Sequence, residues 1–476
     1  MNDLTKMMPI KVEPFKHQVD GWWDALECFN EGGEGYGLFF EMGCGKSLTA
    51  IAIIGSLPVK RVLIVAPSSV CAVWPRELKD YADFRYAVLY PTGTVKQRAD
   101  SINAFSAAEP TVYGRQIVVI NYEAAWRMED TLRAFYPDMI ICDESQKIKN
   151  PTARASKCMH RLGDLAMYKL CLTGTPIQNK PLDFWSQYKF LNPKIFGNSF
   201  YQFRARYAVM GGMCVNGKPV QVVGYKNLDE LTEKAYTCAM RVRKADCLDL
   251  PEKTFETRYV ELSKEEEKLY RQMKRENIAF IGEQAVTAQI VLTRLLILQR
   301  LTGGFMRPDE SEQSIQIGHS KLDALEEIIE DCIDAEQKLV VFVRFTDEYH
   351  AVRQMLEEKS ITYSCISGAT SQRARGYEVE RFQNDPRCKV FVGQIEAAGT
   401  GITLTAASVA VFYSPTWNYA TYMQAQDRIH RIGQKDECHY INLIAPGTVD
   451  EDVMKALAAK RNLADMVVDG MVKLND

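Results

Sequence analysis

The 476-residue sequence lacks a charge excess of either sign: 58 Lys and Arg against 61 Asp and Glu leave a net charge of −3. A globally basic, nucleic-acid-coating protein is thereby excluded. Any contact with a polyanion has to come from local basic patches or from backbone N–H groups in a cleft. Cys-x-x-Cys pairs and His clusters are also missing. The thirteen cysteines are odd in number and scattered. That excludes a disulfide framework or a Cys–His zinc site and points to reduced thiols buried as small hydrophobes. No stretch reaches the roughly 18–20 apolar residues of a membrane span, and MNDLTKMMPIKVEPFKHQ lacks the apolar core of a signal peptide. The expected location is therefore cytoplasmic, or nuclear in a eukaryote. Internal repeats and low-complexity tracts are absent too. With 46% hydrophobic and 25% charged residues, the composition is that of an ordinary folded protein.

What is present is a recurrence of short β-branched runs separated by amphipathic or polar stretches. One set comprises Gly37–Phe40, Arg61–Ala66, Gln116–Asn121, Asp138–Cys142 and Lys169–Thr173; a second comprises Lys338–Phe345, Thr362–Ile366, Lys389–Val392, Val409–Tyr413 and His439–Leu443. Continuous apolar strands alternating with helical segments predict an α/β fold, with parallel sheets covered by helices on both faces. The stretch between the sets reads as helical at Asp183–Phe190, Leu228–Val242, Lys264–Ile281 and Gln284–Leu301, with a joint near Pro251. The expectation is two lobes, 1–250 and 251–476, with helical protrusions at about 181–250 and 263–305 and a C-terminal helix.

Three motifs carry chemistry. Glu41-Met42-Gly43-Cys44-Gly45-Lys46-Ser47 lies between a short apolar strand and an apolar helix beginning at Leu48, the context of a phosphate-binding loop. Its glycines let backbone N–H groups close on phosphate oxygens at a helix N-terminus. Lys46 would reach the β/γ phosphates and the Ser47 hydroxyl would bind Mg²⁺. Phe40 stands where the strict G-x-x-x-x-G-K-S/T pattern has its first glycine, and a plain Gly-rich turn is the competing reading. Asp143-Glu144-Ser145-Gln146 follows a strand, so Asp143 would hold Mg²⁺ and Glu144 would polarise the attacking water; a surface acidic pair is the alternative. In Gln424–Gln434, Arg428 and Arg431 lie three apart, on one face if the segment is helical. They would clamp γ-phosphate charge as arginine fingers; a solvated basic face or DNA-phosphate contacts compete. Around these, Gln18 would read adenine, Thr173 in Leu172–Asn179 would link the nucleotide to a bound strand, and Ala397–Leu404 is a turn where backbone can approach phosphate.

Taken in order, these residues resemble the Swi/Snf family of DNA-dependent ATPases in helicase superfamily two, from about Phe15 to Val467. LTGTPIQN at Leu172–Asn179 and DRIHRIGQ at Asp427–Gln434 are the most specific pieces, supported by DESQKIKN at Asp143–Asn150 and LPEKT at Leu250–Thr254. The family's phosphate loop begins with an acidic residue and Met-Gly, as Glu41-Met42-Gly43 does. The resemblance implies two tandem RecA-like lobes that close on ATP and step along duplex DNA, as a monomeric motor using ATP and Mg²⁺. It implies nucleotide contacts at Gln18, Gly43, Cys44, Gly45, Lys46, Ser47, Leu48 and Gly399. It places DNA contacts near Ser68, Ser69, Trp74, Asn121, Tyr122 and Thr173, then Ser367, Gly368, Arg375, Thr403 and Trp417.

There are departures. Gln146 stands where many members have His, which bears on how DNA contact is signalled to the ATP site. Thr403 replaces a common Asn and, with Ala397-Ala398-Gly399, leans toward the annealing-helicase branch, which remodels forked DNA. A bare motor of this kind fits bacteria and their phages. The implied function is duplex or branched DNA translocation. A strand-separating helicase is an alternative, although no wedge hairpin is evident in the sequence, and a nucleotide-dependent binding switch with little turnover is another.

Overall fold

The computed structural model describes residues 4–108, 114–178, 180–215, 218–247, 250–283, 288–307, 314–398 and 402–468. The chain divides into two compact units, Met1–Asp249 with Lys460–Asp476, and Leu250–Ala459. Both contain a parallel sheet flanked by helices, the α/β class that the alternating runs predict. Among the described residues no helix is long and apolar enough to cross a membrane.

The first unit contains β1 (Gly35–Phe40), β2 (Arg61–Ala66), β3 (Tyr86–Leu89), β4 (Arg115–Asn121), β5 (Met139–Asp143), β6 (Tyr168–Leu172), β7 (Ala208–Val215), β8 (Lys218–Tyr225) and β9 (Ala239–Val242). Seven of these form a sheet in the order β3-β4-β2-β5-β6-β1-β9, and every pairing in it is parallel. The apolar runs follow from this burial: Leu63, Ile64, Val65, Ile140 and Ile141 are wholly enclosed because helices cover both faces. Parallel strands all end on the same edge. The loops after β1, β2, β4, β5 and β6 therefore emerge together, and they are the loops that carry Lys46, Ser68, Asn121, Glu144 and Thr173.

The second unit contains β10 (Lys253–Tyr259), the short antiparallel pair β11 (Phe305–Met306) and β12 (Ile315–Gln316), then β13 (Leu339–Val343), β14 (Tyr363–Ile366), β15 (Val390–Gln394), β16 (Val409–Phe412) and β17 (Cys438–Ile444). Six form a sheet in the order β10-β17-β16-β13-β15-β14, again parallel throughout.

The intervening stretch is less helical than its composition suggests. The helix expected over Leu228–Val242 ends at Ala235, and Ala239–Val242 is β9, drawn into the sheet by pairing with β1. β7 and β8 pair antiparallel, and Asn216-Gly217 lies between them in sequence. That dipeptide between apolar runs is a strong hairpin signal, so the expectation of helical protrusions is corrected. β10 lies outside the expected strand sets, although Phe255, Thr257 and Tyr259 recur at period two in it.

One buried ion pair fixes the second unit. Lys321 Nζ lies 2.7 Å from Asp450 Oδ2, with both side chains fully enclosed. The same ammonium donates to the Tyr413 carbonyl (3.2 Å), while Asp450 accepts from the Thr302 hydroxyl (3.0 Å) and the Ala445 N–H (3.2 Å). Removing one partner leaves a buried charge unmatched. Lys321→Met should therefore cost about 3–5 kcal/mol, whereas Lys321→Met combined with Asp450→Leu should recover most of it. The shift of the urea midpoint for the single and double variants checks this; equal losses for both would show that the pair itself is not the source.

Candidate nucleotide-hydrolysis site

In the first unit the phosphate loop runs from the end of β1 into helix Lys46–Ser56. Gly43 and Gly45 sit at φ 89° and 81°, a backbone region that favours glycine. At Gly45 a Cβ would also collide with the Gln18 amide. Thr49 N–H donates to Gly45 O (3.0 Å), the first turn of the helix ladder. The N–H groups of Lys46, Ser47 and Leu48 precede that ladder and point out of the helix N-terminus, where an anion is favoured. Lys46 Nζ donates to Phe40 O at 3.0 Å and to Glu41 O at 3.4 Å, across the mouth of the loop.

Gln18 is buried, and its carboxamide is engaged at both ends. Oε1 accepts from Phe15 N–H (2.9 Å) and Nε2 donates to Cys44 O (3.3 Å), the carbonyl that also receives His17 Nε2 at 2.8 Å. Gln18 thus braces the phosphate loop, with one amide hydrogen left beyond that bond. Cys44 is buried with its Sγ 3.8 Å from that of Cys247. Burial first, and the neighbouring thiol second, hold its thiol well above the ordinary value, so it fills space rather than reacting.

Asp143 and Glu144 follow β5. Asp143 is only 5% exposed. Its Oδ2 accepts from Trp74 Nε1–H (2.9 Å), its Oδ1 from Glu144 N–H (2.9 Å), and its carbonyl from the Tyr122 hydroxyl (2.7 Å). Glu144 adopts φ 51°, left-handed for a non-glycine residue, a conformation that costs free energy and is retained when its surroundings enforce it. Here they do: Glu144 Oε2 accepts from Gln146 Nε2–H (2.6 Å), Gln146 Oε1 accepts from the Thr173 hydroxyl (2.6 Å), and Thr173 Oγ1 accepts from Thr175 N–H (3.0 Å). A chain of hydrogen bonds thus runs from the carboxylate after β5 to the loop after β6, with Gln146 at its centre. The sequence marks Gln146 only as a departure; the structure makes it the link.

A hard cation fits this donor set. The Asp143 carboxylate and the Ser47 hydroxyl are oxygen ligands of the kind Mg²⁺ takes beside phosphate oxygens. Among the described residues no cluster of three or more His, Cys, Asp or Glu side chains is placed to hold a metal ion.

Several residues assigned to DNA lie inside the unit instead. Trp74 is 1% exposed, its indole N–H spent on Asp143; Tyr122 and Thr173 are likewise enclosed. Their polar groups satisfy buried carboxylate, carbonyl and amide oxygens, so they hold Asp143 and Gln146 rather than offer a surface. Ser68 is exposed and accepts from Asn121 Nδ2 (2.6 Å), while Asn121 Oδ1 caps the following helix through Ala124 N–H (2.8 Å). The side chain of Ser69, and all of Gly399, lie outside the described residues.

In the second unit, helix Tyr419–Gln426 ends before the arginines. Arg428 and Arg431 therefore sit in the turn that follows rather than on a helix face. Arg428, 2% exposed, donates to Gln424 O and Ile402 O, each at 3.0 Å; Arg431 Nη1 donates to Thr403 Oγ1 at 2.8 Å. Gln434 pins the turn, donating to Ala407 O (2.8 Å) and Ile429 O (3.1 Å). Arg375 spreads its guanidinium over the carbonyls of Thr370, Ala397 and Ser367 at 3.0–3.2 Å, and Gly368 N–H meets Gln394 Oε1 at 2.8 Å. Trp417 is half-buried and packs against the cluster of Leu298, Leu301, Tyr270 and Val449.

The chain belongs to the family described as the SNF2-related domain, whose model matches residues 22–307, and the helicase conserved C-terminal domain matches residues 320–433. An uncharacterized ATP-dependent helicase of Mycoplasma genitalium is 28% identical over 94% of this chain and 41% of its own length. The DNA excision repair protein ERCC-6 of Mus musculus is 26% identical over 95% of this chain and 32% of its own length. The TATA-binding protein-associated factor MOT1 of Saccharomyces cerevisiae is 26% identical over 97% and 28%, respectively. The chain thus spans about two-fifths or less of these relatives. Among solved structures, the Sulfolobus solfataricus SWI2/SNF2 ATPase core in complex with dsDNA is 28% identical, covering 97% of this chain and 94% of that one, with a TM-score of 0.45.

The burial of Asp143 has a pH signature. Burial first, and the Glu144 charge second, push its carboxyl up to about 7, against the pull of Lys46 and the Trp74 N–H. In the unfolded chain an Asp titrates near about 3.9. Between those values the folded chain holds a proton that the unfolded chain has lost, so stability falls as pH rises from about 4 through 7. Without metal or nucleotide, Asp143→Asn should gain stability relative to wild type on going from pH 5.5 to pH 8. A wild-type–variant difference in urea midpoint that stays constant with pH would remove this account.

Proposed function

We propose that the chain is an ATP-hydrolysing motor that translocates along duplex DNA and remodels branched DNA or displaces bound proteins. The observation that carries this reading is the convergence, on one sheet edge, of Lys46, Asp143 and Glu144 with the Gln146–Thr173 link. A phosphate cradle alone serves a binding switch. A water-polarising carboxylate wired to a neighbouring loop suits turnover that responds to a second ligand. In this reading Lys46 holds the β/γ phosphates, Ser47 and Asp143 hold Mg²⁺, Glu144 orients water, and Arg428 and Arg431 act as fingers. Bound Mg²⁺ supplies charge neutralisation on the phosphate oxygens. Ser68, Asn121, Ser367, Gly368 and Thr403 remain the proposed DNA-facing positions. The named relatives in excision repair and in TATA-binding-protein association support DNA and DNA-bound proteins as targets.

The test is an ATPase assay across single-stranded, duplex and forked DNA, and RNA. Turnover should be low alone and strongly raised by duplex or forked DNA, lost in Lys46→Ala, and lost with ATP binding retained in Glu144→Gln. Arg431→Ala should lower kcat by about 10³-fold or more, with DNA affinity near normal. Equal rates with and without DNA would overturn the translocase, and negligible turnover throughout would leave a binding switch.

A strand-separating helicase has one observation in its favour, the Ala208–Tyr225 hairpin, with Val209 and Val223 exposed. Under that reading, replacing residues 209–224 by a short Gly-Ser linker should abolish displacement of a forked duplex strand while leaving DNA-stimulated ATPase intact. Unwinding that survives the replacement removes the hairpin as the wedge.

A further inference from the structure

Arg241 falls in none of the three motifs, yet its guanidinium joins the end of β1, the phosphate loop and the loop after β6. It lies on β9, opposite Phe39 of β1 in the parallel register, with Val242 opposite Phe40. From there its guanidinium reaches past the end of β1. Nη1 donates to Phe39 O (3.0 Å) and to Gly174 O (2.9 Å), and Nη2 donates to Glu41 Oε1 (3.0 Å). Glu41 completes the knot: its second carboxylate oxygen accepts from Lys244 N–H (3.0 Å), and its own N–H donates to Val242 O (2.9 Å). The Arg241 side chain is 10% exposed and that of Glu41 30%, so the pair is partly shielded from solvent.

Three acceptors on two loops are held by one planar fork. On one side are Phe39 and Glu41, flanking Phe40, whose carbonyl receives Lys46 Nζ. On the other is Gly174, next to Thr173, the end of the link to Glu144. The two loops touch at this point: a Cβ on Gly174 would lie 3.2 Å from Met42 N and 3.3 Å from Phe40 O. Only a guanidinium offers several donors in fixed directions; an ammonium is a point charge on a flexible stem.

Resting on the ATP-motor reading, we infer that Arg241 is a positioning residue that sets the spacing between the phosphate loop and the Thr173–Thr175 loop, so that a signal arriving at the second alters hydrolysis at the first. It touches no reacting atom. Its loss should reduce coupling rather than nucleotide affinity.

The experiment measures kcat and the KM for ATP, with and without duplex DNA, for wild type, Arg241→Met, Arg241→Lys, Glu41→Ala and Glu41→Ala/Arg241→Met, with thermal melts as folding controls. Coupling between sites is commonly worth about 5–150-fold. The DNA-stimulated kcat of Arg241→Met should fall at least about fivefold, while the DNA-free rate and the ATP KM stay within about twofold. Lys should not rescue. The double variant should be no worse than Arg241→Met, because both substitutions open one cross-link. If Arg241→Met does not fold, Arg241→Lys decides by the same criteria, since it keeps the charge but cannot span the three acceptors. Wild-type stimulation of Arg241→Met overturns the inference, and so does a parallel loss of both rates with a raised KM, which would mark a merely structural residue. Absence of DNA stimulation in wild type would instead overturn the motor reading and, with it, the inference.

Discussion

Strand β1 is hydrogen-bonded on both edges, to β6 and to β9, and the chemistry of the first unit takes its geometry from that ladder. β1 delivers the phosphate loop, β6 delivers Thr173, and β9 delivers Arg241. One strand further over, β5 delivers Asp143 and Glu144. Because all four run the same way, a residue's height along its strand fixes which sheet edge its successor reaches. The ladder converts positions spread over some two hundred residues of sequence into one row of loops. Side chains then refine what the backbone has placed: Gln18 under the loop, Arg241 across it, and Gln146 between its neighbours.

Two acidic side chains side by side are costly to enclose, and the surroundings decide how each is held. Asp143 receives an indole N–H and a backbone N–H, enough to satisfy its oxygens yet not enough to offset burial beside Glu144. Glu144 is less enclosed and is steadied by one amide, at the expense of a left-handed backbone. Both carboxylates are therefore held in place by the hydrogen bonds around them, and the free energy that holds them there comes from the core behind them.

Much of this was readable in the sequence. Apolar runs identified most of the parallel strands because burial on both faces leaves no polar alternation to blur them. Lys46, Asp143 and Glu144 stand where their motifs put them, following β1 and at the end of β5, because apolar strands bounded by these polar residues mark the strand ends in sequence. What escaped notice depended on partners distant in sequence. β9 is four residues long and reads as the tail of a helix until β1 lies beside it. Trp74 and Tyr122 read as contacts because motif position says nothing about which way a side chain turns; the unsatisfied oxygens of Asp143 turn them inward. Arg428 and Arg431 carry the right spacing for a helix, but Gln434 gathers the segment into a turn. The β7–β8 hairpin differs, because its signal, Asn216-Gly217 between apolar runs, is local in the sequence.

In the second unit, the first strand, β10, pairs only with the last, β17, along its whole length from Lys253↔Cys438 to Tyr259↔Ile444. On a ribosome, synthesis proceeds at about 5–20 residues per second. The leading strand of this unit must therefore wait on the order of ten seconds or more for its partner. The sheet closes last at the edge that was made first. This unit's folding is consequently set by the completion of its final strand, and a nascent chain released or stalled before Ile444 would present an unpaired strand edge to its neighbours.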